Sequence, residues 1–310
     1  MNYRHISVMP NEAVAFLDCK PGKIIADCTL GGSGHSSAIL EKIPGGVLIG
    51  IDQDIAAIDH AKEKLSSTSA DVRLFHGNFI DLATYLSEMN LAGADGILMD
   101  LGLSLYQLEA SGRGFSFQRD EPLDMRMNAE SDDLSAEDIV NTSPEEELER
   151  IFREYGEERY ARRIAKRIVI IRNQTRICSS LQLAHIVSDA VPKKGVARIH
   201  PATRTFMALR IAVNKELERL DAFMAQVSDL LNPGGRLCVI SFHSLEDRIV
   251  KHGLKALAKN CICPSDFPIC VCRHKANMRI LTPKARKPSD AEISANSMAR
   301  SAKLRAAEKI

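Results

Sequence analysis

The chain has 310 residues, 45% of them hydrophobic, and sets 41 Lys and Arg against 40 Asp and Glu. That length holds one large or two ordinary globular domains, and a net charge near zero names no partner by itself. With no apolar run of about eighteen residues, no basic-then-apolar leader in Met1-Asn2-Tyr3-Arg4-His5, and eight cysteines in a chain too long for a small secreted scaffold, neither a membrane protein nor a disulfide frame is expected, and the setting reads as reducing cytoplasm.

In chain order, His5 to Phe16 reads as a short lead-in helix with Pro10 near its first turn. Ile24–Thr29 and Val47–Asp52 are short, rich in branched residues and bounded by glycine, as buried parallel strands are. Between them lie Leu30-Gly31-Gly32-Ser33-Gly34-His35-Ser36 and a helix-forming run, so the unit is βαβ. The glycines permit a tight turn at a strand's carboxyl end beside a helix N-terminus. Asp52 ends the second strand, where a carboxylate can bind both ribose hydroxyls of a nucleoside. Two cofactor classes use this arrangement. A nicotinamide fingerprint wants a third glycine, which Gly32-Ser33-Gly34-His35-Ser36-Ser37 lacks. S-adenosylmethionine needs only a loose glycine loop and an acid near the first strand's end, here Asp27, and is the favoured reading. A turn with no ligand is the bland alternative.

Helical spacing follows in Ile55, Ile58, Ala61 and Leu65, then a strand with its exit loop over Val72–Phe79, a helix through Leu82, Leu86 and Met89, and a fourth strand over Ala94–Gly102. The order β-α-β-α-β-α-β predicts a doubly wound parallel sheet, whose ligands sit at the strands' carboxyl ends. Gly31 to His35, Asp52, Phe79 and Asp100 should therefore share one crevice. From Leu105 to Ile199 no buried strand is evident. Helices are predicted at Ser135–Val140, Pro144–Glu154 with Ser143 as cap, Glu157–Ile171 and Ser180–Ala190, which makes a helical insertion. His200-Pro201 opens a long amphipathic helix running to Leu231, closed by Asn232-Pro233-Gly234-Gly235. A fifth strand at Arg236–His243, a helix at Glu246–Leu257 and a last strand at Met278–Leu281 complete the sheet. The tail from Lys284 to Ile310 is basic, poor in large apolar residues and expected to be partly mobile.

Four motifs then stand together: Asp124-Met125-Arg126-Met127 after Arg113-Gly114-Phe115-Ser116-Phe117; Tyr155-Gly156-Glu157-Glu158-Arg159; His200-Pro201-Ala202-Thr203-Arg204-Thr205-Phe206; and Ser241-Phe242-His243-Ser244-Leu245-Glu246-Asp247-Arg248. In this order, over nearly the whole chain, they resemble the RsmH (MraW) family of bacterial small-subunit ribosomal RNA cytosine-N4 methyltransferases. The resemblance implies a Rossmann-like class I methyltransferase sheet over 1–106 and 203–310 with an all-helical substrate-recognition insertion over 107–202. It also implies S-adenosylmethionine-dependent methylation of the exocyclic N4 of one cytosine in the decoding region of 16S ribosomal RNA, within the small subunit. Neither DNA nor a membrane is expected as a partner, and a homodimer is left open. Carried over by position, the S-adenosylmethionine contacts are Ser33, Gly34, His35, Asp52, Phe79, Asp100 and Gln107. The family usually has glycine where this chain has Ser33, and Leu103-Ser104-Leu105-Tyr106-Gln107 lacks the proline that usually precedes the glutamine.

Each residue has a bland alternative. Asp52 should accept from the ribose, unless it caps the next helix, a role open to Asp54. Phe79 should lie on the adenine face or pack in the core. His35 either touches the ligand or caps its helix. Asp100 ends a strand at the crevice, where an unpaired buried carboxylate would be costly. Cytosine N4 is a poor nucleophile because its lone pair is delocalised, and acceptors on its N–H groups would localise it. Asp100, Ser104 and the strand end Ser241-Phe242-His243 are the candidates. His243 takes the departing proton or is a hydrogen-bonded crevice residue, and Phe242 can stack on an extruded base. Arg126, Arg159, Arg163, Arg204, Arg210 and Asn214 are the candidate RNA contacts. Between Arg150 and Arg176 there are nine Arg or Lys against three acids, an excess suited to phosphates. Cys261-x-Cys263 and Cys270-x-Cys272 have one residue inside each pair where four-sulfur zinc sites usually have two, so no metal is assigned and reduced thiols remain the alternative. Competing functions are a methyltransferase for a protein or small molecule, a nicotinamide dehydrogenase and a non-catalytic assembly protein.

Overall fold

A computed structural model of the chain describes residues 7–192, 199–264 and 269–310. The first two residues of the predicted lead-in helix lie outside them. Two compact units are present: Met1–Gly102 with Leu217–Ile310, and Leu103–Glu216. In the first, Pro10 occupies the first turn of α1 (Pro10–Leu17), where its missing N–H is no loss. Strands β1 (Ile24–Asp27), β2 (Val47–Asp52), β3 (Asp71–His76) and β4 (Ala94–Asp100) alternate with α2 (Gly34–Leu40), α3 (Ile55–Lys64) and α4 (Leu82–Glu88). Asp54, not Asp52, caps α3, its side chain accepting from the Ala56 N–H. That leaves the acid at the end of β2 clear of helix capping.

The second unit is helical: α5 (Leu105–Glu109), α6 (Ala136–Thr142), α7 (Glu145–Glu154), α8 (Ala161–Arg172), α9 (Ser180–Ala190) and α10 (Thr203–Asn214). Leu148, Ile151 and Phe152 of α7 and Ile164, Ala165 and Ile168 of α8 are buried together in its core. Each large apolar side chain so buried contributes about 1.5–3 kcal/mol. Ser143 closes α6 instead of capping α7, whose N-cap is Pro144. The predicted Glu157–Ile171 helix begins four residues late, because Glu157 turns the chain at φ 46°.

The long helix expected over 200–231 is two helices. Lys215 takes a left-handed conformation at φ 50°, so α10 ends at Asn214 and α11 (Glu216–Gln226) starts afresh. Thus α10 belongs with the helical unit, which extends to Glu216 and not to 202. After α11 come β5 (Leu231–Ser241), α12 (Ser244–Leu257), β6 (Met278–Ile280), α13 (Asp290–Ala295) and β7 (Lys303–Lys309). The sheet order is β3-β2-β1-β4-β5-β7-β6. All neighbours pair in parallel except β7, which is antiparallel to β5 and β6. The last part of the tail read as mobile, β7, is therefore an interior strand. Leu304, Ala306 and Ala307 are buried in it, while Lys303 and Arg305 pair with Asp247, and Glu308 pairs with Arg236 and Arg279. Among the described residues no helix is long and apolar enough to cross a membrane.

Candidate active site

The strand order reverses between β1 and β4, the place where doubly wound sheets hold ligands. Asp27, Asp52, Asp100 and Ser241 end β1, β2, β4 and β5 at one edge of this sheet. Asp52 accepts the Gly31 N–H at 2.8 Å and the Asp54 N–H at 2.9 Å. Burial nevertheless lifts its carboxyl to about 6, against the pull of those two donors. Asp27 is fully buried, accepts the Ser36 hydroxyl at 2.6 Å and is also raised by burial, with His35 opposing. Asp100 is 12% exposed and is lifted to about 7, first by burial, with His35 opposing and Asp27 and Glu246 reinforcing.

The glycine loop joins these acids. Ser33 sits at φ 57°, which explains why glycine is the usual occupant. A Cβ on Gly34 would collide with the Ser7 hydroxyl. His35 is buried, with Nε2 2.9 Å from the Val8 carbonyl, so that nitrogen carries the hydrogen. Its Nδ1 lies 3.6 Å from Asp100 Oδ2, so His35 braces Asp100 and anchors the segment before α1. Phe79 is buried in the core, its ring edge-on to Phe223 at 5.4 Å. Sequence reasoning missed its neighbour Asn78, whose Oδ1 accepts the Ile80 N–H while Nδ2 is buried without a hydrogen-bond partner. An Asn separated by one residue from the end of β3 was the signal available.

Beside Asp100, β5 delivers Ser241, Phe242 and His243, in register with the end of β4. Ser241 is buried against the Lys303 carbonyl. The Phe242 ring lies 3.4 Å from where a Cβ would stand on Gly102, whose φ of 107° needs glycine. His243 is the N-cap of α12. Its ring accepts the Glu246 N–H, and Glu246 accepts the N–H groups of Phe242 and His243 in return. His243 Nε2 is buried without a hydrogen-bond partner. Phe242, His243, Ser244, Lys287, Arg300, Ser301, Ala302 and Lys303 line a cavity of about 290 Å³. Its cations come from the basic stretch that was read as a partly mobile tail.

In the helical unit, several candidate RNA contacts are engaged internally. Arg126 forms a two-pronged pair with Asp124 and donates to the Ser131 carbonyl. Arg210 grips both oxygens of Glu216 at 2.8 Å. Asn214 is buried and bridges the Met127 N–H and the Met125 carbonyl. Arg204 donates to the Glu157 carbonyl at the left-handed turn. These four brace loops from within the helical unit. Gln107 is buried in the capping box of α5, its Oε1 accepting the Ser104 N–H. Of the basic run, Arg150, Arg172 and Arg176 are likewise held by acids or carbonyls. Arg159, Arg162, Arg163 and Lys166 are exposed, the last three on α8 at neighbouring positions of its surface and Arg159 just before it.

A family model described as the MraW methylase family matches residues 2–310. The chain belongs to the MraW methylase family. Curated relatives align end to end. One from Desulfosudis oleivorans is 56% identical over 100% of both chains, and one from Desulforapulum autotrophicum is 51% identical over 100% of both. Both are named ribosomal RNA small subunit methyltransferase H. Solved structures are more distant: an rRNA methylase from Streptococcus thermophilus is 10% identical, covering 100% of this chain and 99% of that one, with a TM-score of 0.41. Like the MraW family, this chain is a methyltransferase that uses S-adenosylmethionine. Its sheet edge fits that molecule. Ser33 Oγ, Asn78 Nδ2 and Asp100 Oδ1 are buried there without protein partners, three polar atoms suited to a ligand with hydroxyl, amine and ring-nitrogen groups.

Proposed function

We propose that this chain methylates the exocyclic N4 of a cytosine in the decoding region of 16S ribosomal RNA, in the cytoplasm, on the small subunit or its precursor. The observation that carries this reading is the Asp100 carboxylate oxygen, buried and unpartnered at the crevice beside Phe242. An RNA substrate is favoured by the names of the full-length relatives, by the basic cavity at Lys287 and Arg300 and by the exposed stripe Arg159, Arg162, Arg163 and Lys166. Asp52 would hold the ribose of S-adenosylmethionine, Asn78 Nδ2 an adenine ring nitrogen, and the Ser33-Gly34 turn the amino-acid end. When bound, that molecule supplies a methyl group already activated on a positively charged sulfur.

The chain's task is then positional and electrostatic. Asp100 Oδ1 accepts an N–H of the cytosine amine, which returns lone-pair density to the nitrogen. Phe242 offers a face for the unpaired base. The amine nitrogen would take the methyl group in exchange for one of its protons, with the sulfur as leaving group. That proton passes to Asp100 or to solvent. The test is transfer of labelled methyl from S-adenosylmethionine to assembled small subunits and to a short oligonucleotide of the same sequence, followed by nucleoside analysis. We expect N4-methylcytidine, formed much faster on the particle. Label on a ring carbon or a ribose would remove the mechanism, and equal rates would remove particle recognition.

A further inference from the structure

In the connection from α12 to β6, three of the described apolar residues, Ile262, Ile269 and Val271, are 63%, 74% and 72% exposed. Yet its ends are pinned, with the Asn277 N–H donating to the Leu257 carbonyl at 2.9 Å, and its four cysteines converge. The sulfurs of Cys261, Cys263, Cys270 and Cys272 all lie within 4.8 Å of one another. Cys270 and Cys272 are 3.6 Å apart, and Cys272 and Cys261 3.8 Å. A tetrahedron whose corners lie about 2.3 Å from a central zinc has edges of about 3.8 Å. None of the four is in a disulfide.

The backbone is arranged for thiolates. Cys272 Sγ accepts the N–H groups of Ile262 and His274, Cys263 Sγ that of Val271, and Cys261 Sγ that of Cys263, at 3.4–3.5 Å. The one-residue spacing, unusual for zinc, has a structural reason. Residues i and i+2 can face the same side of a chain, and here the sulfurs of each pair converge while the middle residue, Ile262 or Val271, is exposed. Lys259, Arg273 and Lys275 flank the pairs in sequence and offset the negative charge of a tetrathiolate.

We propose that Cys261, Cys263, Cys270 and Cys272 bind one Zn²⁺ as a closed tetrahedral site that staples the α12–β6 connection. Binding releases the thiol protons to solvent and involves no redox step. With all four positions filled by sulfur, the ion is structural and leaves no open position for substrate. A cluster of several irons would need the sulfurs spread further apart.

Metal analysis of the full-length protein, purified reduced and without chelator, tests this. One zinc per chain is expected, together with an intense thiolate-to-metal absorption after exchange for Co²⁺. The Cys263→Ser, Cys272→Ser double variant should retain only trace zinc with S-adenosylmethionine binding intact, whereas Cys19→Ser, Cys178→Ser should keep one zinc. Wild-type protein with only trace metal, iron in place of zinc, disulfides linking the pairs in the intact mass, or zinc retained by the double variant would each overturn the assignment. If the double variant fails to fold, the wild-type stoichiometry and the cobalt spectrum still decide.

Discussion

Asp100 illustrates at the scale of one residue how a functional group costs stability. Its carboxyl, near 3.8 in the ordinary case, is lifted to about 7, mainly by burial. The folded chain thus binds this proton more tightly than the unfolded chain. Between pH about 4 and about 7, rising pH therefore weakens folding, and above that window the whole penalty remains. Three pH units correspond to on the order of 4 kcal/mol. Asp100→Asn removes the charge, so its denaturation midpoint should exceed that of the wild type more at pH 8 than at pH 5. Methyl transfer by the variant should be lost throughout. In the wild type only the ionised carboxylate accepts from the amine, so single-turnover rates should rise through pH 7. A flat rate profile, or a variant stabilised equally at both pH values, would sink this account. That strands end on acids was readable from the runs before Asp27, Asp52 and Asp100. That His35 lies 3.6 Å from Asp100 was not, because it depends on the start of α2 meeting the end of β4, far apart in sequence.

Element by element, the sequence was legible where period and turn chemistry agreed. The first four strands and three helices follow from branched apolar runs, glycine turns and three- or four-residue spacing. Legibility failed where the backbone made an unsignalled choice. Lys215 breaks a continuous amphipathic pattern without a glycine, and β7 is buried through alanines, with its charges matched inside the unit. The same limit applies to α12, whose cap is a histidine, a residue not usual there. His243→Ala should cost about 1 kcal/mol as a lost cap. His243→Asn restores a capping side chain and should recover both stability and methyl transfer. Thermal melts and single-turnover rates on both variants check this. A folded Asn variant slowed by about a hundredfold would instead make the imidazole the proton acceptor, since general bases contribute on that scale.

For the whole molecule, the net charge of +1 conceals two separate cationic surfaces. One is the stripe Arg159, Arg162, Arg163 and Lys166 on the helical unit. The other is the cavity bearing Lys287 and Arg300 on the sheet unit. If both grip ribosomal RNA, each lost phosphate contact should flatten the dependence of log affinity on log salt by about 0.7–0.9. Replacing Arg162, Arg163 and Lys166 with Ala should therefore lower the slope by about two to three, and replacing Lys287 and Arg300 by about 1.5. S-adenosylmethionine affinity should not move in either case, because the site proposed for it, at Asp52, Asn78 and the glycine loop, contains none of these residues. Titrations of 16S ribosomal RNA between about 50 and 200 mM salt read the slopes directly. Additive losses in the combined variant mean that both surfaces contact the RNA at once. A combined slope no smaller than that of the α8 variant alone would remove the cavity from the RNA-binding surface. A parallel fall in S-adenosylmethionine affinity would show that the substituted residues support the fold.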